Sequence, residues 1–171
     1  MTSVNAYDIL MNPDPLWEEE KQYLRNNLAT TEEIDYFKLV RDKWRALNQS
    51  EFKTNSIDCI LACKAVKGLC IHNNVSAKEY YNLNLGQRHR YEYAHRAAYM
   101  MATKTLIPKS SEVSHLCHHG NCVNPEHLIL ESAEMNRSRN KCIGWTWIPC
   151  PHCNGRFNPC PHNPKCILPQ D

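Results

Sequence analysis

At 171 residues, ten of them Cys and nine His, the chain is long enough for one domain with a real core, or one domain with a helical preface. No apolar run reaches the roughly 18 residues that would span a membrane, and the start MTSVNAYDIL lacks the basic and apolar regions of a secretory signal. The net charge of +2 hides an asymmetry: residues 1–58 carry 7 Lys+Arg against 11 Asp+Glu, and the remainder 13 against 7.

An intracellular, reducing compartment is therefore expected, not secretion, and there clustered Cys interleaved with His reads as metal ligation rather than as a disulfide framework. The basic part is also the Cys/His-rich part. Its charge permits contact with a phosphate backbone, although a solvated surface accounts for it equally well.

Residues 1–69 read as helical. Asp14 can cap and Pro15 is shaped for a first helical position, with Glu18 to Glu20 near the positive end of the helix dipole. Thr30 and Glu33 form a capping-box pair ahead of a second helix that places Ile34, Phe37, Trp44 and Leu47 near one face. A third helix is expected from about Ile57 to Val66, ended by Gly68.

From Tyr80 the period becomes two: Tyr81, Leu83 and Leu85 alternate with Asn82 and Asn84, Gly86 marks a turn, and Tyr91 and Tyr93 alternate with Arg90 and Glu92. A three-residue turn would set Leu83 opposite Tyr91 and Asn84 opposite Arg90. That gives one apolar face and an outward face of Asn82, Asn84, Arg90 and Glu92 suited to hydrogen bonding.

The chemistry lies in Ser114 to Cys142, SHLCHHGNCVNPEHLILESAEMNRSRNKC. Cys117, Cys122 and His127 are spaced so that a short loop returns two thiolates and an imidazole to one point. A structural zinc site is almost always four-coordinate, so a fourth ligand should come from upstream. Cys70, just before the hairpin, is the best candidate, while Cys59 and Cys63 read as buried, unliganded thiols.

His115 precedes this loop on a strand, as an imidazole left unliganded. Leu128 to Leu130 form a second strand, and Ser132 can cap a helix on which Asn136 and Asn140 share a face. Phosphodiester hydrolysis needs a base for water and a hard cation for phosphate charge. His supplies the first near pH 7, and an Asn amide oxygen with substrate oxygens is a credible holder of Mg²⁺.

Residues 114–140 resemble the His-Cys box of the homing endonucleases, a branch of the His-Me finger (ββα-metal) superfamily, in the pattern SHLC, short loop, C, NP, HL and Asn nine residues on. CVNPEHL with YAHRAAY also resembles the zinc-bearing HNH endonucleases. The resemblance implies a Mg²⁺-dependent, site-specific DNA endonuclease acting on double-stranded DNA in the nucleus or another DNA-containing compartment. It makes His115 the general base, Asn136 the Mg²⁺ ligand, and Cys117, Cys122 and His127 zinc ligands completed by Cys70. RYEY fits the family's hairpin arginine, so Arg90 would stabilise the phosphorane charge. Arg88 and Arg96 are its rivals, and Asn82, Asn84, Arg88 and Arg90 are the expected DNA-binding residues.

A second zinc would be held by Cys142, Cys160, His162 and Cys166, with Cys150 and Cys153 of CPHC as alternative ligands. The expected fold is α+β: a helical N-terminal region (1–69), an antiparallel β-hairpin with a ββα-metal core and the first structural zinc (70–141), and a second zinc-binding tail (142–171). Five residues follow Cys166, so the family's C-terminal dimer arm is expected to be missing, and a homodimer would need another contact. The rival reading is a non-catalytic zinc module that binds DNA or RNA.

Overall fold

The computed structural model describes residues 15–47, 80–142, 148–157 and 159–167. Asp14, the helix expected near 57–66, and Cys59, Cys63 and Cys70 lie outside the described residues. The described elements are α1 (Pro15–Asn26), α2 (Thr31–Ala46), β1 (Asn82–Gly86), β2 (Arg90–Tyr93), α3 (Ala94–Thr103), β3 (Ser111–His115), β4 (Leu128–Ser132), α4 (Ala133–Asn140), β5 (Ile148–Pro149) and β6 (Arg156–Phe157). The six strands make three antiparallel pairs, β1–β2, β3–β4 and β5–β6. Architecture is therefore α+β, and no described helix is long and apolar enough to cross a membrane.

Local chemistry explains where the helices begin. Thr30 accepts from the Glu33 N–H at 3.2 Å, and the Glu33 carboxylate accepts from the Thr30 N–H at 2.8 Å, closing the capping box of α2. Ser132 caps α4 by its hydroxyl alone, taking the Met135 N–H at 3.2 Å.

Helix α3 organises the interior because its two faces serve two cores. Ala97 and Met100 pack with Trp17, Leu24, Ile34, Phe37 and Val40 of α1 and α2 and with Leu83 and Leu85 of β1. Ala94 and Ala98, one turn apart, meet Val113, Val123 and Leu128 around the β3–β4 hairpin. The small alanine side chains let this helix lie close to the hairpin that carries the site.

The β1–β2 register differs from the expected one. Leu83 faces Glu92, Asn84 faces Tyr91, and Gly86 faces Arg90, with an irregularity between Asn84 and Gly86. The Asn84 side chain accepts from the Gly86 N–H at 2.9 Å, and Gly86 and Arg90 both adopt positive φ, +88° and +56°. Glu92 consequently points inward at 7 % exposure while Tyr91 is 51 % exposed, the reverse of the sequence expectation.

Burial of this carboxylate is tolerated because it is fully partnered. Glu92 accepts from Arg96 Nε and from the Tyr93 N–H, both at 2.8 Å, and from the Tyr36 hydroxyl. Burial first, then Glu92, push the Tyr36 pKa upward, so its hydroxyl stays protonated and donating.

This register makes a direct stability prediction. Glu92→Ala should cost about 2–3 kcal/mol by stranding the Tyr36 hydroxyl and Arg96, whereas Tyr91→Ala should change stability by less than about 0.5 kcal/mol. Urea unfolding of both variants checks it, and the opposite ranking would support the register with Tyr91 inward.

Candidate metal centres and catalytic site

Two groups of metal-ligating side chains converge among the described residues. Cys117, Cys122 and His127 form one group; Cys142, Cys160, His162 and Cys166 form the other. In each, the ligand atoms lie within 4.8 Å of one another and every residue is buried.

The first group is built by the loop between β3 and β4. Asn124 accepts from the Glu126 N–H at 3.0 Å and starts a single 3-10 turn, Pro125–His127, which aims the His127 ring inward. His127 Nδ1 lies 3.6 Å from Cys122 Sγ. Cys70, the expected fourth ligand, is outside the described residues.

The second group draws the tail onto α4. His162 Nδ1 stands 3.3 Å from Cys160 Sγ and 3.7 Å from Cys166 Sγ, while its Nε2 lies 2.9 Å from the Ser138 hydroxyl, which orients the ring. Burial pushes Cys166 up to about 12, outweighing its contact with Arg139, and Cys160 adds to the rise. Burial also raises Cys160, but N–H donors from Cys166 and His162 outweigh it and hold that thiol near about 6. Three thiols and an imidazole, all buried and converging on one point, form a donor set whose chemistry fits zinc. Cys150 and Cys153 belong to neither group.

Arg139 links these parts. It is 1 % exposed, and its Nε and Nη2 donate to the two oxygens of Glu131 on β4 at 2.8 and 2.9 Å. Its Nη1 donates to the Pro164 carbonyl at 2.9 Å and faces Cys166 Sγ at 3.5 Å. The Ile167 N–H donates to the Leu116 carbonyl at 2.7 Å, so the end of the tail also docks beside the first group.

His115 closes β3, paired with Leu128, and is 9 % exposed. Its Nε2 lies 3.0 Å from the Cys122 carbonyl oxygen. A carbonyl only accepts, so Nε2 carries the proton and Nδ1 of the neutral ring keeps its lone pair. Burial holds the His115 pKa below the ordinary imidazole value, against the opposing pull of Cys122.

Sequence reasoning missed two neighbours of this site. The His95 ring stands 4.5 Å from that of His115. Burial, then His115 and Arg96, push its pKa down to about 2, so it packs as a neutral ring. Tyr93 stacks on His95 at 5.7 Å, and Tyr91 extends the line outward at 5.5 Å from Tyr93.

The second is Glu112, which receives the Asn136 amide N–H at 2.7 Å. A carboxylate is acceptor-only, so the amide must turn its nitrogen to Glu112 and leave Oδ1 pointing elsewhere. The only hint in the sequence is an acidic residue three positions before His115 on the same strand.

Asn82, Asn84, Arg88 and Arg90 are all exposed on the β1–β2 hairpin. Arg90 stands at its turn end, with the Tyr91–Tyr93–His95 line between it and His115. Its rival Arg96 is committed to Glu92.

A small α+β scaffold whose loop and tail gather Cys and His into two buried donor sets has the construction of a zinc-binding loop protein. The chain belongs to the homing-endonuclease zinc-binding-loop family: residues 60–171 match the model described as the zinc-binding loop region of homing endonuclease. That places it in a nuclease family whose substrate is DNA.

If the two donor sets hold zinc, removal of metal should loosen the whole second half of the molecule. Incubation with a strong chelator should abolish the cooperative thermal transition and restored Zn²⁺ should return it. An unchanged melting curve in metal-free protein would show that the clusters stand without metal.

Proposed function

We propose that the protein is a site-specific, Mg²⁺-dependent endonuclease that hydrolyses phosphodiester bonds of double-stranded DNA, with His115 as general base. The observation that carries this reading is the hydrogen bond from His115 Nε2 to the Cys122 carbonyl at 3.0 Å. It fixes a neutral tautomer whose Nδ1 can take a proton from water.

The loop that supplies this carbonyl also supplies Cys117, Cys122 and His127, the proposed ligands of the first zinc, completed by Cys70. Cys142, Cys160, His162 and Cys166 are the proposed ligands of the second. Their role is rigidity: a base held by a closed metal loop loses little geometry as substrate arrives.

Asn136 is the proposed ligand of the catalytic cation, through the Oδ1 that Glu112 leaves free. When bound, Mg²⁺ would supply charge neutralisation at the phosphate and the departing oxygen. An in-line displacement places attacking water and leaving oxygen on opposite sides of phosphorus. His115 and Asn136 accordingly have no need to touch. Arg90, with Arg88, Asn82 and Asn84, offers the duplex a cationic and amide-bearing hairpin surface, Arg90 being assigned to the phosphate.

Two substitutions test the assignment. With Mg²⁺ and plasmid or genomic DNA, His115→Ala should lose about 10²–10⁴-fold in cleavage rate while DNA binding persists. Glu112→Gln should leave the melting temperature unchanged and raise the Mg²⁺ concentration for half-maximal cleavage by about 10-fold or more, because an amide no longer dictates how Asn136 faces. Full cleavage by His115→Ala would remove the base assignment. DNA or RNA binding by the wild type with no Mg²⁺-dependent cutting would favour a non-catalytic zinc module.

A further inference from the structure

Among the described cysteines, Cys150 and Cys153 lie outside the two buried groups, in the turn CPHCNG that joins β5 to β6. The turn is organised around their sulfurs. The Cys150 N–H donates to the Gly155 carbonyl at 2.8 Å and closes the turn. Cys150 Sγ faces the backbone N–H groups of His152 and Cys153 and the Cys153 thiol, while the Gly155 N–H donates to Cys153 Sγ at 3.4 Å.

Backbone donors aimed at sulfur fix the direction in which each sulfur presents its lone pairs. Gly155 leaves room for this geometry, since a Cβ there would lie 3.2 Å from Cys153 Sγ and crowd the sulfur.

The pair is half a ligand set in an open position. Cys153 is exposed and Cys150 half-buried, in contrast to the sulfurs of the two interior groups. Among the described residues no third Cys, His, Asp or Glu joins them within 4.8 Å, His152 included. Ile148 and Phe157, paired directly across the hairpin, are also exposed at 39 % and 47 %. A prearranged pair of thiols flanked by uncovered apolar side chains has the makings of a contact surface.

We propose that Cys150 and Cys153 are one half of a further tetrahedral zinc site, completed by the same two residues of a second copy of this chain. Zinc takes four thiolates at about 2.3 Å. A two-fold axis through the metal supplies the missing pair in identical geometry, because such an interface is isologous. It also brings Ile148 and Phe157 of each copy under cover. A tetrathiolate zinc carries a net charge of about −2, and Arg156 stands exposed on β6 of each copy, paired with Pro149 next to Cys150.

The site makes no use of His115 or Asn136, so it stands or falls independently of the nuclease assignment. Native mass spectrometry of the full chain purified with Zn²⁺ reads oligomer and metal count together. The expected species is a dimer with five zinc ions, two in each chain's buried groups and one shared. The Cys150→Ser, Cys153→Ser double variant should be a monomer with two. Titrating wild-type protein with a weak chelator gives a reading that needs no variant: the shared zinc, released whenever the copies separate, should leave first, and the dimer with it. A dimer carrying an even number of zinc ions, a dimer untouched by the double substitution, or a monomer with two or three zinc ions would each overturn the proposal.

Discussion

The guanidinium of Arg139 sits where strand, helix and tail meet, and the arrangement of the second half of the molecule depends on it. An arginine at 1 % exposure is costly unless its charge and donors are answered. Here they are answered from two directions: Glu131 on β4 takes two parallel bonds, and the Pro164 carbonyl with Cys166 takes the remaining edge. The pairing sets α4 against β4, and so sets where Asn136 stands. The same side chain reaches into the second Cys/His group, so the tail's geometry and the helix's geometry are one problem. Ser138, one residue earlier, repeats the theme by holding His162.

Converging Cys/His groups and polar pairing do much of what a larger apolar core would do elsewhere. One apolar core joins α1, α2, β1 and α3, but in the β3–β4 region and the tail the clusters are small, and those beside the two Cys/His groups are rich in sulfur. The site occupies the junction of these two regimes. His115 is gripped from the loop side by the Cys122 carbonyl and from the α3 side by the His95 ring. Its rigidity therefore derives from both halves, and a neutral, single-tautomer imidazole is the result.

Much of this was legible in the sequence because it rests on local rules. The capping box at Thr30 and Glu33, the Ser132 cap, the strands on either side of the loop and the convergence of Cys117, Cys122 and His127 follow from spacing over a few residues. The tail offered Cys150 and Cys153 as rivals for four places; Cys142, Cys160, His162 and Cys166 come together, while the CPHC turn stands toward solvent. The illegible parts depend on partners distant in the chain. Alternation assigned Glu92 to the outer face, and it lies inside because Tyr36, 56 residues earlier, and Arg96 on the next helix receive its charge. Glu112 and Asn136 are 24 residues apart, and no local pattern links a strand carboxylate to a helix amide.

The central claim is a division of labour in which His115 serves water and Asn136 serves the cation. Anomalous diffraction from crystals of the protein with uncut duplex DNA and Mn²⁺ in place of Mg²⁺ would test it most directly. The account predicts a manganese peak at ligand distance from Asn136 Oδ1 and a phosphate oxygen, with His115 Nδ1 free of metal and facing a water in line with the scissile bond. Manganese bound to His115, or a phosphate remote from both residues, would contradict it.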